Sequence, residues 1–208
     1  MTEYSENAIL FIFEPHTIRQ TDFRRELFSF CKTLKQKGIP IANVYFPYKT
    51  RRNKLVPVSD YTISIRTVQG GRTFPRPSKI VLKQRLGPLK LLRKLESKDV
   101  GNASKKEYIR TVNEAIFSVL CNSAKSTMLV AGFAAGGCQR DFIKHIPELG
   151  KPPNLVYFPE LSRSLGELQS GKRETPEERV KKWIGKSKRQ FFEEATVVYD
   201  YKKFLCDL

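Results

Sequence analysis

At 208 residues the chain has room for one domain with a full hydrophobic core and is short for two. Its 40% hydrophobic and 11% aromatic content excludes wholesale disorder. Thirty-eight Lys and Arg against twenty-one Asp and Glu give a net charge of +17, which favours anionic partners but says little about the fold.

Residues 9–13, Ile-Leu-Phe-Ile-Phe, form a continuous apolar run, the pattern of a strand buried on both faces. Residues 22–37 read as a helix: Phe23, Leu27, Phe30, Cys31 and Leu34 recur at helical spacing, Thr21 or Asp22 can cap the start, and Gly38 ends it. Residues 39–46 return to strand composition, which completes a βαβ unit and implies a parallel sheet with right-handed crossovers. The segment 47–78, rich in Arg, Lys, Pro and Gly, reads as an insert or irregular stretch, within which 61–68 is either a short strand pair or a loop. Residues 79–83 make a third strand and 86–95 a helix candidate. Ser104 with Glu107 forms a capping box for a helix reaching about Asn122.

A fourth strand covers 127–132, and a helix is predicted to start at Cys138 and run to His145. Residues 154–158 make a fifth strand. Thr175-Pro176-Glu177-Glu178 is a helix start with Pro in the first helical position, opening a helix predicted to reach Glu194 within a C-terminal helical segment, 160–195. Residues 196–199 supply a sixth strand. Strands alternating with helices predict one α/β domain over 1–208: a three-layer, doubly wound, Rossmann-like sandwich on a mostly parallel six-stranded sheet.

Cys31, Cys121, Cys138 and Cys206 lie far apart without a CxxC pair, which predicts reduced thiols in a cytoplasmic setting. The apolar run at 8–13 is too short to span a bilayer and follows acidic residues, so neither a membrane span nor a signal peptide is expected.

In doubly wound sheets, sites form at the carboxyl ends of the strands. The chemistry-bearing residues there are Glu14 after the first strand, Lys83 at the end of the third and Cys138 after the fourth. Taken singly, each has a plain structural role as well: a helix-capping acid, a solvated lysine, an inert buried thiol.

Three blocks carry a resemblance. Ile-Leu-Phe-Ile-Phe-Glu at 9–14, Ile-Val-Leu-Lys-Gln-Arg at 80–85 and Gly-Phe-Ala-Ala-Gly-Gly-Cys at 132–138 together resemble the isochorismatase-like cysteine hydrolases. The resemblance spans roughly 8–158 and is most specific in the third block. It implies Cys138 as nucleophile, Glu14 as general base and Lys83 as electrostatic partner, with the N–H groups of Ala134 and Cys138 as oxyanion donors and a cis peptide at Phe133–Ala134. A thiol at a helix N-terminus beside an ammonium is expected to favour its thiolate. His16, Tyr48, Arg85 and Phe133 are expected to line the substrate pocket, although His16 is equally well read as a solvated loop histidine. The expected substrate is a small, anionic molecule with an amide-type C–N bond.

Three positions depart from the family pattern. Glu14 stands where the family has Asp, Gln139 stands where a small apolar residue is usual, and the metal-binding Asp-x-His after the second strand is replaced by Phe-Pro-Tyr-Lys-Thr-Arg at 46–51. With His16 and His145 the only histidines, no catalytic metal and no other cofactor is expected. The family often forms oligomers, so a homo-oligomer is in view. Basic clusters (Arg51-Arg52, Lys105-Lys106, Lys172-Arg173, Lys181-Lys182 and Lys186 with Lys188-Arg189) read as solvated faces or as a surface for nucleic acid or another polyanion. The latter fits a catalytically lapsed relative acting as a binding module.

Overall fold

The computed structural model describes residues 6–14, 21–45, 59–68, 76–86, 91–101, 103–185 and 190–208. The central strand β1 (Ala8–Glu14) is buried on both faces, Ala8 to Ile12 showing no exposure at all, as its unbroken apolar run requires. Helix α1 (Thr21–Gln36) follows and returns the chain to β2 (Ile41–Tyr45), which lies parallel to β1 with Leu10 opposite Ile41 and Glu14 opposite Tyr45. β3 (Tyr61–Val68) continues the parallel ladder beyond β2, so the segment left open between strand pair and loop is one strand.

The chain then reverses. β4 (Arg76–Leu86) pairs antiparallel with β3, and β5 (Leu91–Asp99) antiparallel with β4. The helix expected over 86–95 is therefore corrected: Leu86 ends β4 and 91–95 belong to β5. Gly87 and Pro88 interrupt a helical reading there, and Arg93, Lys94, Glu96 and Lys98 give the sheet's outer strand the charged side chains that discourage edge pairing.

Helix α2 (Lys105–Ser123) opens on the capping box, with Ser104 Oγ accepting from the Glu107 N–H and the Glu107 carboxylate accepting from the Ser104 N–H. β6 (Thr127–Ala135) inserts beside β1, Phe13 opposite Gly132. Gly132 has φ +105°, and a side chain there would collide with the Phe13 carbonyl, so only glycine lets the two strands meet this closely. Helix α3 (Cys138–Asp141) is far shorter than the predicted 138–145 helix; turns and a 3-10 segment (Ile146–Glu148) complete that stretch.

β7 (Asn154–Ser164) runs six residues beyond the predicted strand, then come α4 (Leu165–Ser170) and α5 (Pro176–Ile184). α5 stops at Gly185, φ +73°, so the expected helix to Glu194 is two pieces, the second being α6 (Gln190–Glu193). β8 (Thr196–Val197) is a two-residue strand and α7 (Tyr201–Asp207) closes the chain.

The strand order is β5-β4-β3-β2-β1-β6-β7-β8. From β3 to β8 in that order six strands are parallel and doubly wound; the sheet has eight strands where six were predicted, the additional ones being β3 and β5, and the predicted third strand, β4, runs antiparallel. One face buries Phe11, Phe13, Val44, Ile63, Leu82 and Val130 with α2, α5 and α6; the other buries Leu10, Ile12, Leu129 and Phe158 under α1 and α7. Phe30 of α1 meets Phe158 and Tyr201 edge-on at 5.0 and 5.7 Å, tying both helices to β7. No helix among the described residues is long and apolar enough to cross a membrane.

Candidate functional site

β1 and β6 are neighbours and leave the sheet at the same edge, where β1 ends at Glu14 and β6 turns through Gly136 and Gly137 into Cys138, the first residue of α3. Gly136 has φ +72°, and a Cβ there would lie 2.5 Å from the Lys182 carbonyl of α5, so the turn is pressed against that helix and admits only glycine. The Gly137 N–H donates to the Ala134 carbonyl at 3.0 Å, and the Phe133–Ala134 peptide is cis.

Cys138 is half-buried and packs against the core cluster that holds Tyr108 and Phe142. The Phe142 ring lies 5.8 Å from Tyr108 and 6.4 Å from Phe13, bridging α2 and β1 beneath the turn. α3 is held by Asn113 of α2, which is fully buried. Its Nδ2 donates to the Asp141 carbonyl at 3.2 Å and its Oδ1 accepts the His145 N–H at 2.9 Å. Gln139, also fully buried, donates to Ser162 Oγ of β7 at 3.2 Å, which gives the departure at this position a packing role.

The electrostatics differ from expectation. Burial, then the Asp141 carboxylate, push the Cys138 thiol up to about 11; its own backbone N–H and the Lys105 ammonium pull it only part of the way back. The resting thiol is neutral at physiological pH. Burial first, then the charges of Cys138 and Asp141, also push the Tyr108 phenol up.

Lys83 is not part of this cluster. It lies on β4 opposite Thr62, and β4 stands four strands from β6, about 19 Å across the ladder at about 4.8 Å per step. The reason is direction: β4 runs antiparallel, so its carboxyl end points away from the edge where β1 and β6 end. Arg85 lies further along the same strand; its N–H donates to the Asp60 carbonyl at 2.7 Å and its Nε is buried without a partner. Phe133 is half-buried in β6 opposite Arg163. His16, Tyr48 and the rest of 46–51 lie outside the described residues.

A second cluster, absent from the sequence-based expectation, borders the turn. Glu167 is buried and accepts from Arg179 Nε and Nη2 at 3.0 and 2.8 Å, from the Ser164 N–H at 2.8 Å and from the Glu174 N–H at 3.1 Å. Burial alone would raise the Glu167 carboxyl, but these bonds outweigh it and hold it below the ordinary carboxylate value. Burial and the nearby Arg179 pull Arg163 down to about 10, and its guanidinium lies 4.3 Å over the Phe23 ring. The Ser164-Leu-Gly-Glu167 spacing is a capping box that the sequence does display. Among the described residues no group of three His, Cys, Asp or Glu could hold a metal ion.

The architecture is an α/β fold of the kind seen in the YcaC proteins. No protein-family model and no curated protein matches the sequence. Among solved structures, the YcaC protein of Escherichia coli, described as an octameric hydrolase of unknown specificity, superposes with a TM-score of 0.53 at 11% identity, covering 98% of this chain and 80% of its own. YcaC from Pseudomonas aeruginosa, with hexane-2,5-diol and covalent acrylamide, gives 0.54 at 11% identity over 98% and 81%. An isochorismatase family protein gives 0.49 at 12% identity over 94% and 99%. The likeness is one of fold.

Proposed function

We propose that the protein is a cysteine hydrolase that cleaves an amide-type C–N bond of a small substrate through a thioester on Cys138. The observation that carries this reading is a half-buried thiol on the first residue of a helix, directly after central strand β6, at the sheet edge where neighbouring β1 ends in Glu14. The description of the E. coli neighbour as a hydrolase and the covalent acrylamide in the P. aeruginosa one support it.

In this reading the Glu14 carboxylate takes the Cys138 proton, because the thiol does not ionise unaided at neutral pH. The sulfur attacks the carbonyl carbon, and the Ala134 and Cys138 N–H groups face the developing oxyanion. Collapse breaks the C–N bond, and the amine leaves with the proton returned by Glu14. Glu14 then deprotonates water, which attacks the thioester; the acid departs and the thiol is re-formed. Lys105 takes the cationic role, being the ammonium that acts on Cys138, whereas Lys83 stands four strands from β6. The test is hydroxylamine trapping across a panel of small primary amides: an acyl hydroxamate formed by the native protein and absent with Cys138→Ser supports the hydrolase, and hydroxamate formed equally by both contradicts it.

The raised Cys138 thiol and the +17 charge favour a second reading, a catalytically lapsed member that binds polyanions. It requires an unreactive Cys138 together with RNA binding that weakens steeply with salt. Assembly into a homo-oligomer, as described for the E. coli neighbour, is part of the first proposal.

A further inference from the structure

We propose that the cavity between α3, α4 and α5 binds the phosphate group of a small phosphorylated ligand, independently of the hydrolase reading. This cavity, of about 560 Å³, lies behind the nucleophile turn; Gly136 and Gly137 line it, whereas Cys138 packs towards Tyr108 and Phe142. Three cations border it: Arg140 from α3 and Lys181 and Lys182 from α5.

Their charges are not equally compensated. Lys182 pairs with the Glu174 carboxylate, which also accepts from Ser164 Oγ at 2.7 Å. Arg140 and Lys181 have no ion pair or side-chain hydrogen bond among the described residues, although Arg140 is half-buried. A partly desolvated guanidinium without an acceptor is costly, and an oxyanion removes that cost through short, charge-assisted bonds. Two uncompensated positive charges match a phosphate monoester, whose charge at neutral pH is about −1.5 to −2.

The walls are built to hold these groups in place. A side chain at Gly185 would strike the Arg140 guanidinium, so the end of α5 is packed directly on that arginine. A Cβ at Gly166 would lie 3.0 Å from Glu174 Oε1 and 3.2 Å from Lys182 Nζ, so a side chain there would push on the Ser164–Glu174–Lys182 cluster by a few tenths of an ångström. Behind it, Arg179 fixes Glu167 and the Glu174 carbonyl from the buried side, the latter at 2.6 Å. The volume exceeds what a free phosphate fills and suits a ligand with an organic body.

The experiment is calorimetric titration of the full-length protein with inorganic phosphate and with phenyl phosphate at constant ionic strength. The expected result is saturable phosphate binding, weakened about tenfold or more by Arg140→Gln and by Lys181→Gln, unchanged by Lys32→Gln on α1, and retained in Cys138→Ser. Phenyl phosphate should bind more tightly than phosphate. Lys181 is exposed, so its variant folds even if the Arg140 variant does not. Absence of saturable binding, or binding that survives Lys181→Gln undiminished, overturns the site. Equal or weaker binding of phenyl phosphate overturns the phosphorylated ligand in favour of free phosphate. Loss of hydroxamate formation alone, with phosphate binding intact, counts against the hydrolase and not against this site.

Discussion

Burial and Asp141 together keep the Cys138 thiol protonated, so its reactivity rests on whatever group can take its proton. Replacing Asp141 by Asn removes the carboxylate whose charge opposes the thiolate. The expected outcome is a lower thiol pKa and alkylation by iodoacetamide about threefold or more faster at pH 8, followed by intact mass. An unchanged rate would show that burial alone sets the thiol. The position of Cys138 itself was legible, because an apolar run ending in Gly-Gly-Cys reads as a strand passing into a helix. Its neighbours were not. Asn113 and Tyr108 belong to α2 and reach the turn through tertiary packing, and Lys105 of the same helix acts on the thiol through its charge; no local spacing in the sequence records either.

At the scale of elements, apolar runs and 3.6-residue spacing mark β1, β2, β6, β7 and α1, whereas 61–68 reads as either a strand pair or a loop and hides the parallel strand β3. The strand at 79–83 is legible but its antiparallel direction is not, because direction is set by the connection and not by composition, and the charged β5 reads as a helix. The Ser164–Glu167 capping box was readable, whereas a fully buried partner such as Arg179 is rare enough that sequence gives no reason to expect it. Arg179 holds β7, α4 and α5 together, so Arg179→Ala leaves Glu167 buried and unpaired and should cost about 3–5 kcal/mol in denaturant unfolding. Glu167 has a folded pKa below its unfolded value, so its stabilisation is complete above about pH 4.3 and is lost as pH falls through the folded value. The stability gap between native protein and Glu167→Gln should therefore narrow below about pH 4. A constant gap would remove Glu167 from the acid response.

The whole molecule carries +17 on 208 residues, and compaction brings those charges together. Added salt screens them over a Debye length of about 8–10 Å near physiological ionic strength. The melting temperature should rise as sodium chloride is raised from low concentration, because self-repulsion falls faster than the exposed ion pairs weaken. A falling melting temperature would mean that pairs such as Lys98–Glu114 and Lys144–Asp141 outweigh the excess charge.

The role given to Cys138 stands or falls on how its thiol loses a proton. Its iodoacetamide alkylation, followed from pH 5 to pH 11 in the native protein and in Glu14→Gln, tests this directly. If Glu14 is the base, the native protein reacts faster at neutral pH than a thiol raised to about 11 allows, and Glu14→Gln loses about tenfold or more of that rate while matching the native protein at the alkaline end. Coincident profiles for the two proteins would contradict the assignment of Cys138 and Glu14 as a catalytic pair.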